Sequence, residues 1–126
     1  MKPDIVQAIQ EIGAAFDGHV VDVVAEEQGG AQVIVHGVFI GPSFTPSRTW
    51  AGFTIPFQYP DADVYPLFIG GDVQRADGGL YGEAITSCTW EGRSALQVSR
   101  RSNHWNPATD TAAVKLMKVL EWLKTR

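Results

Sequence analysis

The chain has 126 residues, 44% of them hydrophobic and 19% charged, the size and balance of one folded domain with its own core. A formal net charge of −4 argues against a general nucleic-acid binder, and no run approaches the roughly 20 apolar residues of a membrane span. The start, residues 1–13, is acidic and amphipathic and does not read as a signal peptide, and the single cysteine, Cys88, permits neither an internal disulfide nor a thiolate zinc site, so a cytoplasmic protein is expected.

Pro3-Asp4 opens a helical pattern over residues 4–16, in which Ile5, Ile9, Ile12 and Phe16 recur at near-helical spacing beside Ala8 and Ala15. Proline fits a first turn, Asp4 suits the positive end of the helix, and Asp17-Gly18 stops it. Residues 19–26 carry four valines, Gln28-Gly29-Gly30 is a turn, and residues 31–40 place Val33, Val35 and Phe39 on one side, so the two runs predict a hairpin. His36 alternates with those valines and is expected to face solvent. Residues 41–48 read as a loop, and Phe53, Ile55 and Phe57 alternate along a third strand over 50–57 that Pro56 pushes toward an edge.

Residues 59–63 are a turn, and 64–69 a short fourth strand ended by Gly70-Gly71. The glycines of Asp77-Gly78-Gly79 lack the setting of a phosphate-binding loop. Residues 84–90 and 94–99 flank Glu91-Gly92-Arg93 as an irregular hairpin, with Cys88 in its first arm. Asn106-Pro107 offers a cap followed by a first-turn proline, with Thr109 or Asp110 as a later cap. From there to residue 124 an apolar stripe of Ala112, Ala113, Leu116, Met117, Leu120 and Leu123 faces inward, and Lys115, Lys118, Glu121 and Lys124 fill the other face. A block of strands between two terminal helices predicts one α+β domain over 1–126: N-terminal helix, four-stranded antiparallel meander, hairpin with an active loop, C-terminal helix.

The densest polar cluster, Ser99-Arg100-Arg101-Ser102-Asn103-His104, lies between the last strand and the last helix, where a loop is held by rigid neighbours and binding groups concentrate. The plain alternative is a solvated connection with surface arginines. Phe57-Gln58-Tyr59-Pro60 followed by Tyr65-Pro66, and His104-Trp105-Asn106-Pro107-Ala108-Thr109 opening the last helix, resemble two segments of the ubiquitin-conjugating enzyme (E2) fold: its proline-rich turn and its tryptophan-serine-proline-alanine segment. Gly92-Arg93, Gln97-Val98-Ser99-Arg100-Arg101, Trp105 and Asp110 together resemble the bacterial E2-like group called prokaryotic E2 family E.

The resemblance implies an enzyme that accepts a ubiquitin-like protein from an E1-like adenylating partner and transfers it to an amine. It also implies an operon setting with a deubiquitinase-like peptidase, of the kind found in antiviral defence, and no nucleotide or metal cofactor on this chain. The chain ends after the helix that follows the loop, where the family has two more, which implies a minimal core whose apolar surface a partner covers. It also departs from the family's chemistry. The region before the tryptophan reads Gln97-Val98-Ser99 where E2 enzymes carry a cysteine, and the histidine-proline-asparagine motif is absent.

Two nucleophiles stand open. Ser99 would form an oxyester, with His104 as base, Asn103 as an oxyanion donor, and Arg100 or Arg101 holding the oxyanion or the tail carboxylate. Cys88 would form a thioester as the only thiol, although a strand cysteine is as readily a packing residue. The rival class is a non-catalytic E2-variant-like module that holds a ubiquitin-like protein without bonding to it. Trp105 is expected to pack beneath the loop.

Overall fold

The computed structural model describes residues 1–126. Helix α1 spans Pro3–Ala15 and buries Ile5, Ala8 and Ile12, the i, i+3, i+7 face of its apolar pattern. Lys2 ties its start down by donating to the carbonyls of Phe57 (2.7 Å) and Tyr59 (2.8 Å). Eight strands follow: β1 (Val21–Ala25), β2 (Ala31–Phe39), β3 (Phe44–Thr45), β4 (Arg48–Ile55), β5 (Leu67–Gly70), β6 (Gln74–Arg75), β7 (Ile85–Trp90) and β8 (Arg93–Val98). Helix α2, Ala112–Lys124, completes the α+β order.

Six strands form one sheet in the order β1-β2-β4-β5-β8-β7, every neighbouring pair antiparallel, while β3 and β6 make a separate two-stranded ladder. Val33, Val35, Phe53, Ile55, Leu67, Ile69, Leu96 and Val98 point from the sheet toward α1 and α2 and close a core with Leu116, Leu120 and Leu123. The opposite face carries a smaller cluster in which Trp90 stacks on Phe68 (4.8 Å between ring centroids) and on Trp50 (5.9 Å). Gly52 sits under that stack: a side chain there would run into the Trp90 ring. No helix is long and apolar enough to cross a membrane.

Several expectations shift. The hairpin at residues 84–99 is regular, not irregular. Glu91 (φ 49°) and Gly92 (φ 76°) form a two-residue turn with both φ values positive, the geometry that matches strand twist, and β8 then pairs with β5. Loop 41–48 contains the short strand β3, which pairs with β6. The third strand ends at Ile55, leaving Phe57 exposed, and the fourth begins at Leu67 rather than residue 64.

The last helix starts at Ala112, not at 107. Asn106–Asp110 is instead a self-contained turn in which Asp110 accepts the Asn106 N–H (2.7 Å) and Asn106 Oδ1 accepts that of Ala108 (2.9 Å). Thr111 is extended (φ −132°, ψ 161°), so no helix passes through it, and its hydroxyl oxygen caps the Val114 N–H. On α2 Met117 is exposed and Lys115 is buried, the reverse of their expected faces. His36 does reach solvent, with Nε2 2.7 Å from Asp22 Oδ2.

Candidate functional site

The loop from Ser99 to Thr111 leaves the end of β8, crosses the 60–66 turn and enters α2. Its entry is fixed by the Ser99 N–H, which donates to the Ala84 carbonyl (2.7 Å) and extends the β7–β8 pairing by one rung. Its exit is fixed by the Thr111 cap and by the Ala112 N–H, which donates to the Tyr59 hydroxyl (3.2 Å). Trp105 anchors the middle: its indole N–H donates to the Pro60 carbonyl (2.7 Å), and its half-buried ring packs near Tyr59. A polar tip on an apolar body, bonded to a turn far away in sequence, holds this loop at a set height over the core.

Between the loop and α2 lies a cleft of about 530 Å³. Arg100, Arg101, Ser102, Asn103 and His104 line one wall, and Lys115, Lys118 and Trp122 line the other. In a chain of net charge −4, four of the 10 lysines and arginines converge here. Lys118 reaches Asp110 at 4.0 Å, and Arg100 and Arg101 form no ion pair. The two guanidinium groups lie over aromatic rings, Arg100 over Trp122 (4.8 Å) and Arg101 over Tyr65 (4.2 Å). Stacking fixes the planes while leaving N–H edges for an anion.

The residues singled out from sequence divide. Arg100, Arg101, Asn103 and His104 share the cleft, whereas Ser99 and Cys88 do not line it. The Ser99 hydroxyl oxygen accepts from the Gln97 side-chain amide (3.0 Å), and no hydrogen bond joins it to His104, which is exposed and in the left-handed region (φ 57°). Cys88 is half-buried on the outward face of the sheet, against the cluster of Ile34, Phe68, Trp90 and Ala95.

Three residues that carried no separate weight in the sequence form the tightest network of the site. Asp63, from the turn before β5, accepts the Ser102 N–H (2.9 Å), the Ser102 hydroxyl (3.1 Å) and the Lys115 ammonium (3.1 Å). Lys115 also donates to Ser102 Oγ at 2.9 Å. Burial pushes the Lys115 amine below the ordinary lysine value; Asp63 opposes that shift, and the charges of Arg100 and Lys118 reinforce it. The available signal was a lysine set among Ala112, Ala113, Val114 and Leu116, on the flank it shares with Val119 and Trp122.

No three His, Cys, Asp or Glu side chains converge closely enough to hold a metal ion. The arrangement can receive an anionic or acyl group between fixed cations, and it presents one hydroxyl in contact with a buried amine. No curated protein and no solved structure matches the chain. The family model for prokaryotic E2 family E matches residues 15–126, a span that includes the whole sheet, the loop and α2, and the chain belongs to that family.

Proposed function

We propose that this chain is an E2-like carrier in a bacterial, cytoplasmic conjugation pathway. It accepts the C-terminal acyl group of a ubiquitin-like protein from an E1-like adenylating partner and passes it to an amine. In this reading β1, β2, β4 and β5 are the four-stranded meander of the E2 fold, and the β7–β8 hairpin delivers its active loop. The observation that carries the reading is the cationic cleft beside Trp105, at the loop where the family conducts its chemistry. Acyl transfer develops negative charge on the carbonyl oxygen, and fixed guanidinium and ammonium groups stabilise that charge. ATP is consumed by the E1-like partner, so this chain needs no nucleotide or metal of its own.

Ser99 as an oxyester and Cys88 as a thioester are the two carriers offered by the sequence. One observation favours the rival module that binds without bonding: neither side chain is in contact with a base. The test is incubation with the E1-like partner, ATP and the mature ubiquitin-like protein. An oxyester survives a thiol reductant, is cleaved by mild alkali and is lost in Ser99→Ala; a thioester is removed by reductant and lost in Cys88→Ala. Binding with no adduct supports the non-catalytic module. Neither binding nor adduct removes both readings.

A further inference from the structure

Of all side-chain hydroxyls in the protein, Ser102 is the one hydrogen-bonded to a lysine, with Oγ 2.9 Å from Lys115 Nζ. The two groups come from opposite walls of the cleft and both line it. Lys115 is 4% exposed, so its amine is kept from bulk water, and Ser102 is half-exposed toward the cleft. Asp63 fixes both partners from a third element, accepting the Ser102 N–H, the Ser102 hydroxyl and the Lys115 ammonium, so the hydroxyl turns from Asp63 to Lys115 when the amine is neutral. A serine hydroxyl becomes a useful nucleophile only with a base in reach, and a desolvated lysine is a group that can supply one. Ser99 has an amide in that place.

We infer that Ser102 is the acyl acceptor of this cleft, with Lys115 as its general base and Asp63 as the residue that positions both. The inference rests on the carrier reading and names its nucleophile. In its neutral form Lys115 takes the proton from Ser102 Oγ. The oxygen attacks the terminal carbonyl carbon of the activated tail, an acyl adenylate or a thioester brought by the E1-like partner. A C–O bond forms, and the bond from that carbon to the phosphate oxygen or the sulfur breaks. The phosphate leaves as an anion, or the sulfur leaves as a thiol with the proton from Lys115. In the second half Lys115, neutral again once any proton left on it has passed to solvent, takes a proton from the attacking amine; a C–N bond forms, the bond from the carbonyl carbon to Ser102 Oγ breaks, and Lys115 returns the proton to Oγ. No oxidation or reduction occurs. The lowered proton affinity of Lys115 brings its neutral form nearer to working pH. The groups around it that set this balance are Asp63, Arg100 and Lys118, with Arg101, His104 and Asp110 on the same cleft.

The experiment uses the full chain with its E1-like partner, ATP and the mature ubiquitin-like protein. The adduct site is mapped by mass spectrometry, and non-covalent binding is measured alongside. The expected adduct is at Ser102, stable to reductant, lost in Ser102→Ala and converted to a reductant-labile thioester in Ser102→Cys. Lys115→Arg keeps a positive charge opposite Asp63 but supplies no neutral amine at working pH. It should slow acylation by about 100-fold, the lower end for general-base catalysis, with binding and thermal melting retained. The wild-type acylation rate should rise with pH until Lys115 is deprotonated, and this rise should be absent in Lys115→Arg. An adduct at Ser99 or Cys88 that is unchanged in Ser102→Ala overturns the inference and leaves the carrier reading standing. Acylation of Lys115→Arg at the wild-type rate and pH profile reduces Lys115 to a strut and also overturns it. Loss of both binding and adduct in the wild type removes the carrier reading and this inference together.

Discussion

Replacing Asp63 by alanine should be among the most damaging single changes around the cleft. It strips Lys115, only 4% exposed, of its counter-charge and leaves the Ser102 N–H without an acceptor. Removing one partner of a buried ion pair costs about 3–5 kcal/mol, and the 20% exposure of Asp63 places this pair at the low end, about 3 kcal/mol. Lys115→Met is a gentler change. The new side chain fills the same space without a charge, and Asp63 keeps both hydrogen bonds from Ser102 and its access to water, so the cost is about 1 kcal/mol.

The double variant should then be more stable than Asp63→Ala alone by about 1–2 kcal/mol, because no stranded ammonium remains. Lys115 in Asp63→Ala can also relieve its burial by giving up its proton. With a folded-state proton affinity below the unfolded value of 10.5, the unfolded chain binds more protons in between, so stability rises with pH through that window. The cost of Asp63→Ala should therefore be larger at pH 6 than at pH 9. Urea unfolding at both pH values, with the denaturant slope checked for constancy, measures all three variants. An Asp63→Ala cost under about 1 kcal/mol, or a double variant no more stable than the single, would refute the buried-pair argument.

Trp105→Ala should cost about 3 kcal/mol, the low end for a large aromatic because the ring is half-buried, and Trp105→Phe should recover part of it without the Pro60 hydrogen bond; thermal melting reads both. Thr111→Ala should cost about 1 kcal/mol and lower the helical signal, since the Val114 N–H loses its cap. Tyr59→Phe leaves the buried Ala112 N–H without an acceptor and should cost about 1–2 kcal/mol. Burial also holds the Tyr59 hydroxyl above its ordinary value of 10.0, so its contribution is complete below pH 10 and lost as pH climbs through the raised folded value; the alkaline limb of a stability–pH curve should flatten in Tyr59→Phe.

The layers were legible because both element types write their period into the chain. Ile5 and Ile12 with Ala8 mark one face of α1, and Val33 and Val35 mark one face of β2. The start of α2 was misplaced because Asn106-Pro107 carries the same local signal whether a helix or a single turn follows; the Asp110 carboxylate, closing back on the Asn106 N–H, decides it. The attachment of the β7–β8 hairpin to β5 could not be read at all. It depends on pairing Leu67 with Val98 and Ile69 with Leu96, and nothing local to either strand names its partner.

The site shows the same divide more sharply. Residue types announced a charged loop before the last helix, and Arg100, Arg101, Asn103 and His104 do line a cleft there. Which hydroxyl meets a lysine was not written locally. Ser99 and Ser102 stand in similar surroundings along the chain, and both look equally near to Arg100 and Arg101. What separates them is Lys115 on a helix and Asp63 in a turn 52 residues away from it. Helical periodicity counts lysine as a solvent-face residue, so a pattern argument turns Lys115 outward. The structure turns it inward because Asp63 and Ser102 meet its ammonium there, and an ammonium without those two partners would not stay buried. The long side chain delivers its charge to the place where the Asp63 carboxylate and the Ser102 hydroxyl meet. That convergence of three elements brings Lys115 to Ser102 rather than to Ser99, and it exists only once the sheet, the turn and α2 have all formed.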